Sequence, residues 1–345
     1  MKKMFYKKIK ILLLLLISFI VFQQTVFCDQ SSQEGILIAN LGAAKNKKQE
    51  KKANFKLLEY YMNDNDYESA ATIGELLLDF ELSKKEKYTV YYNLATSYLF
   101  LSKTEKALEA GREAQYLYPK KIETKMLLGN IYKNNSLNEL AIVKFKECLE
   151  LDSDNLEALT NLGNIYNFQE NYDASLKYFE QAEKEAAQHN EELSINDYIN
   201  MAISAKEIGK RDLAQSILEN IKKKNKKSSL LLVDIYRSKQ EYDKAIKTLM
   251  PFVYHKDTDL EIYCNLAQMY LLSGKFNEAK DLLLYFKSKN EESNEVIDML
   301  LIEAYHNIYH DQKRVLTELR KIYNYTSLDY IKKIVGKVIA FEQAI

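Results

Sequence analysis

The sequence predicts an all-α chain built as an array of stacked helix pairs, and three observations carry that prediction. Leu128, Gly129, Tyr132, Ala141, Phe145 and Cys148 recur 34 residues later as Leu162, Gly163, Tyr166, Ser175, Phe179 and Ala182; Leu94, Ala95, Tyr98, Ala107 and Ala114 hold the same places one unit earlier, with Pro119 closing that unit. Within a unit the recurring residues fall on one face of each of two helices. The 345 residues include only 2 prolines and 9 glycines, so helices meet few breakers. Such a period marks units that cannot bury an apolar face alone and must stack, which makes one elongated domain the simplest reading of the length.

The amino terminus stands apart. Met1 to Lys10 carries five lysines and no acid, and Ile11 to Phe22 is an almost unbroken apolar run ended by Gln23 and Gln24. This is the layout of a secretory signal, and the run is short of the ~20 residues of a membrane span. Three fates of residues 1–28 stay open: cleavage after Cys28, lipidation of Cys28 despite the bulky Phe27 before it, or retention as an anchor. The chain is thus expected to be exported, to a periplasm or cell envelope, with membrane association through Cys28 or the apolar segment as one outcome.

Residues 29–54 read as a linker or frayed helix with a basic cluster of Lys45, Lys47, Lys48, Lys51 and Lys52. An alternative use for that cluster is attraction to an anionic membrane. About eight helix pairs are then expected over 55–326. The first has Leu57, Leu58 and Tyr61 followed by Tyr67, Ala70 and Leu77, and three units in strict register run on to Ala182. Beyond it, EKEAAQHNEEL lengthens a second helix and delays the next unit, marked by Met201, Ala202, Ala205, Ala214 and Leu218. Tyr236 and Ala245 mark a sixth unit, whose second helix should stop or kink at Pro251 because proline removes a helical hydrogen bond. Tyr263, Leu266, Ala267, Tyr270, Gly274 and Ala279 mark a seventh. In the degenerate eighth, one inserted residue brings Val315, Leu319 and Ile322 into place. Residues 327–345 repeat apolar side chains at helical spacing and read as a capping helix over the last pair.

A large residue, Leu-Gly, Tyr, Ala, Phe, Ala and Pro at these spacings resemble the tetratricopeptide repeat (TPR). The resemblance implies a right-handed superhelical α-solenoid whose role is protein–protein interaction, often with an extended peptide held on the concave face of the first helices. Position six of that face is Asn93, Asn161, Asn200 and Asn265, and position nine adds Asn130 and Asn164. Some family members use such carboxamide ladders on a peptide backbone, since an amide both donates and accepts; the same residues read equally well as ordinary solvated surface. Leu99, Phe100 and Phe168 are candidates for apolar pockets, or for contact with the next repeat. Tyr92, Met126 and Thr160 stand where some relatives place a basic residue to clamp a carboxyl terminus, so that mode is not expected. The alternative to groove binding is a structural scaffold or assembly factor in an envelope complex, acting through the convex face or the ends.

Other chemistry finds little support. Removing residues 1–28 takes five lysines from 49 basic residues and none from 49 acidic ones, so the remainder is mildly acidic and lacks the footprint that nucleic acid requires. Cys148 and Cys264 lie several repeats apart, beyond disulfide reach. His306 and His310 are four residues apart, but HNIYH lacks the glutamate of zinc proteases. There is no Gly-rich phosphate loop and no nucleophile elbow, so neither an enzyme nor a metal or cofactor is expected.

Overall fold

The computed structural model describes residues 33–253, 259–289, 295–309 and 312–325, with 332–333 and 335–336. The chain divides into two compact units, residues 1–158 and 159–345. In the first lie α1 (Gln33–Gly42), α2 (Lys47–Asn63), α3 (Tyr67–Leu77), α4 (Lys84–Phe100), α5 (Thr104–Leu117), α6 (Ile122–Asn134) and α7 (Asn138–Leu149). The division falls inside α8 (Leu156–Phe168). The second unit continues with α9 (Tyr172–Gln188), α10 (Ile195–Glu207), α11 (Arg211–Asn220), α12 (Lys226–Ser238), α13 (Tyr242–Leu249), α14 (Leu260–Leu272), α15 (Phe276–Lys289), α16 (Glu295–Tyr309) and α17 (Gln312–Tyr325). Among the described residues there is no strand.

Short polar side chains start several of these helices by taking up an orphan N–H of the first turn. Asn46 accepts from Gln49 N and so opens α2 at Lys47, ahead of the expected Phe55; part of the basic cluster is therefore helical, and Ala53 and Asn54 are already buried. Ser83 and Glu86 form a capping box on α4, as Asn225 and Ser228 do on α12. α13 ends at Leu249 and passes into a 3-10 turn, Met250–Phe252, around Pro251. That is where the missing proline N–H was expected to stop it.

One kind of turn joins the two helices of each pair whose turn is among the described residues. The residue at position fifteen takes a left-handed backbone: Asn65, Ser102, Ser136, Glu170 and Gln240 at φ 55–60°, Gly209 at 84° and Gly274 at 76°. The N–H one residue further on then reaches back to the position-eleven carbonyl, as in Lys103 N to Tyr98 O (2.8 Å), Leu137 N to Tyr132 O (2.9 Å) and Lys275 N to Tyr270 O (2.8 Å). This closes the first helix as a Schellman motif.

Small residues let the paired helices approach. Ala70, Ala107, Ala141, Ser175, Ala214, Ala245 and Ala279, all at position twenty, have no exposed surface. Gly129 and Gly163 lie against the rings of Phe145 and Phe179, where a Cβ would come within 2.6 Å and 2.9 Å of a ring carbon. The position-eleven tyrosines enter the core and keep a polar tip satisfied. Tyr98 donates its hydroxyl to Glu75, Tyr236 to Glu219 at 2.7 Å, and Tyr61 to Glu34 of α1 at 2.9 Å. Of the expected capping helix, 327–345, only 332–333 and 335–336 are among the described residues; Val335 is buried beside Ile302 and Leu319. The side chains of Val315 and Ile322 lie outside them, as do residues 1–32.

Candidate partner-binding faces

In the first unit the candidate residues sit on α4 and α6. The Asn93 carboxamide is half-exposed and finds no hydrogen-bond partner among the described residues. Leu99 lines a cavity of about 320 Å³ with Ser102, Thr104, Ala107, Ile131, Asn134 and Asn135; its polar rim is tied internally by Thr104 Oγ1 donating to Asn135 Oδ1 at 2.6 Å. Phe100 is 60% exposed and stacks on Tyr67, ring centroids 4.3 Å apart and planes 8° from parallel. Asn130 donates to Glu157 at 3.1 Å, so its amide links α6 to the start of α8.

Sequence reasoning missed an aromatic group on the same helix. Tyr88 stacks on Tyr92 at 6.0 Å and meets the edge of Tyr118 at 5.1 Å, its hydroxyl paired with Thr124 Oγ1 at 3.0 Å. Burial, then the neighbouring Tyr88, raises the Tyr92 phenol above its ordinary range, and it stays neutral at any physiological pH. The signal was available in the four-residue spacing of Tyr88 and Tyr92.

In the second unit the carboxamides are engaged within the protein. Asn161 is 7% exposed and has interactions of its own. Asn200 donates to Asn164 Oδ1 at 2.7 Å, and Asn164 donates to Asp197 at 2.8 Å. Asn167, which the sequence reading did not single out, donates to Asn200 O at 3.0 Å and Ser204 Oγ at 2.9 Å. Ser204 passes the chain on to Ser175 at 2.8 Å, and Ser175 to Gly163 O at 2.9 Å. Polar side chains of α8 and α10 thus tie adjacent repeats. Asn265 donates to Glu261 O of its own helix at 2.8 Å. Phe168 is 78% exposed.

Charges elsewhere pair across repeats, as Lys206 does with Asp234 at 3.0 Å and Lys275 with Asp243 at 2.5 Å, and within them. Burial would raise the Glu147 carboxyl, but hydrogen bonds from Lys125 and Lys144 hold it below its ordinary range. Burial pushes the Cys148 thiol up to about 12, as suits a small core residue. His306 is exposed and His310 lies outside the described residues. Among the described residues no group of three or more His, Cys, Asp or Glu is placed to hold a metal, and no helix is long and apolar enough to cross a membrane.

Residues 88–121, 122–155, 156–189 and 260–284 match the tetratricopeptide repeat model. The fold is of the tetratricopeptide-repeat type. These four stretches are the pairs α4/α5, α6/α7 and α8/α9, with α14 and the first part of α15. No curated protein matches the chain in sequence. Among solved structures it is similar to PilF of Pseudomonas aeruginosa, at 17% identity over 64% of this chain and 97% of that one with a TM-score of 0.48. It is similar to YrrB, described as a TPR protein with an unusual peptide-binding site, at 16% identity over 57% and 98% with a TM-score of 0.48. A tetratricopeptide repeat protein from Parabacteroides merdae gives 16% identity over 83% and 97% with a TM-score of 0.36. TPR arrays generally mediate protein–protein interaction, and fold alone does not name a partner.

Proposed function

We propose that this is an exported, non-catalytic binding protein that holds an extended segment or a partner helix along the first helices of its repeats. The observation that carries the reading is the α4 surface of the first unit: a half-exposed, unpartnered Asn93 on the same helix as Leu99, with its cavity, and the exposed Phe100 on Tyr67. Exposed aromatic and aliphatic side chains give a peptide its anchors, and an open carboxamide takes its backbone. The second unit supports a smaller share, because Asn164 and Asn200 are engaged with each other.

The alternative, scaffolding through the outer face, draws on Tyr116, Leu140 and Val143 of the second helices α5 and α7, which are 82%, 47% and 50% exposed. The test is a displayed-peptide selection on the full chain, with affinities of selected peptides measured by fluorescence anisotropy. Groove binding predicts that Asn93→Ala with Phe100→Ser weakens them at least about tenfold, while Leu140→Ser with Val143→Ser leaves them unchanged. Peptides that lose affinity only to the second variant would move the function to the outer face. Export is tested separately by locating the chain in cell fractions.

A further inference from the structure

The first two helices carry a feature that peptide binding does not use. α1, sequence QEGILIANLG, is apolar along most of its length, yet none of its residues is buried, and Ile36 and Ile38 are 50% and 39% exposed. A helix apolar on most sides is ordinarily covered on most sides. α1 rests on α2 only along one flank, where the Tyr61 hydroxyl meets Glu34. Beside it, Lys48, Lys52 and Lys56 are exposed and four residues apart, so they form one stripe along α2, with Lys45 and Lys47 exposed at its start. The stripe runs into the cleft of about 520 Å³ between the two helices, which Leu37 lines from α1 and Lys56 from α2.

The acids nearby are few. Glu34 is engaged with Tyr61, and Glu59 and Asp64 line the same cleft beyond Lys56. Glu50 shares α2 but lies off the stripe. Lys51, on another face, is spent on Glu86 at 2.9 Å and Glu81 O at 3.1 Å. A local excess of lysine in a chain with equal numbers of basic and acidic residues marks a particular partner.

We propose that the α1/α2 end docks on an anionic lipid bilayer, with the exposed Ile36 entering the headgroup boundary and the Lys48–Lys52–Lys56 stripe lying over the phosphates. Exposed aliphatic side chains beside a lysine stripe are the two ingredients of interfacial binding, each lysine near the surface adding a comparable increment. Chain connectivity agrees. The apolar run Ile11 to Phe22 ends eleven residues before Gln33, a reach of at most ~40 Å, so any contact of that run with a membrane keeps α1 near the same surface.

The test is co-sedimentation of the full chain with phosphatidylglycerol/phosphatidylcholine vesicles and with phosphatidylcholine alone. Lys48→Glu, Lys52→Glu and Lys56→Glu together should weaken partitioning onto the anionic vesicles about a hundredfold. Reversing Lys85, Lys87 and Lys120, which are exposed on other elements, changes net charge equally and should cost far less. Ile36→Ser should weaken binding with all lysines intact. Insertion of residues 1–28 is common to every variant and cancels in these comparisons. The proposal is overturned if the stripe variant binds as the natural chain does, if binding ignores lipid charge, or if poly-glutamate displaces the vesicles at low concentration, which would assign the stripe to an acidic polypeptide.

Discussion

Gly129→Ala tests whether the repeat core is set by pairwise fit between the two helices of a pair. Alanine gains up to ~1 kcal/mol of intrinsic helix preference over glycine. Its Cβ, however, would stand 2.6, 2.8 and 2.9 Å from three atoms of the Phe145 ring, which is fully buried and rigid. Restoring ordinary contact means moving the ring by nearly ~1 Å, and overpacking of that kind costs ~1–3 kcal/mol. The variant should therefore lose up to about 2 kcal/mol. The molecule supplies the rescue: Ala202 with Leu218, and Ala267 with Leu283, occupy the same two positions and are fully buried. Phe145→Leu alone should cost about 1–2 kcal/mol through its void, and the double variant should be more stable than the sum by a similar amount. Urea denaturation followed by circular dichroism on all four chains measures the coupling. A stabilised Gly129→Ala, or additivity within ~0.3 kcal/mol, would refute the pairwise account.

Ser136→Gly, at φ 58°, should raise stability by about 0.5–1 kcal/mol in the same assay, and Gly209→Ala, at φ 84°, should lower it by about 1. Glu86 is held at about 2, below its ordinary 4.5, by hydrogen bonds from Lys51 and then Ser83. A depressed carboxyl stabilises above its unfolded value and loses that contribution as pH falls through the folded one. The gap in urea midpoint between the natural chain and Glu86→Gln should accordingly be full above pH 4.5 and close toward pH 2. Cys148, fully buried with its thiol raised to about 12, should be alkylated only on unfolding, as peptide mass spectrometry after brief iodoacetamide treatment would show.

The fold was legible because its determinants are local and repeat. Ala107, Ala141 and Ala279 mark the close approach of helices, Tyr98 and Tyr236 the core edge, and Pro251 a helix end, each readable from spacing alone. The start of α2 was placed late because the basic residues from Lys45 to Lys52 outweighed Asn46 as a cap signal. The candidate site was half legible. Spacing puts Asn164 and Asn200 on equivalent faces, but whether two amides face solvent or each other depends on the distance between helices. That distance is a property of packing against Ser175 and Ser204, which no single-helix pattern encodes. Phe100 is a second case: spacing marked it as a candidate for an apolar pocket or for contact with the next repeat, and its stacking on Tyr67 did not follow from that.

The left-handed residue in every described pair-closing turn bears on how such a chain can lengthen. Five of the seven are not glycine, so each of those turns carries a small, self-contained penalty that the helices of its own pair outweigh. Neither the penalty nor its compensation depends on how many units precede it. Tandem duplication of one unit therefore adds a turn already balanced by its own pair, and mutation can afterwards relax any one turn without retuning the others. As far as its turns are concerned, growth by copying and divergence unit by unit are both open to a chain built this way.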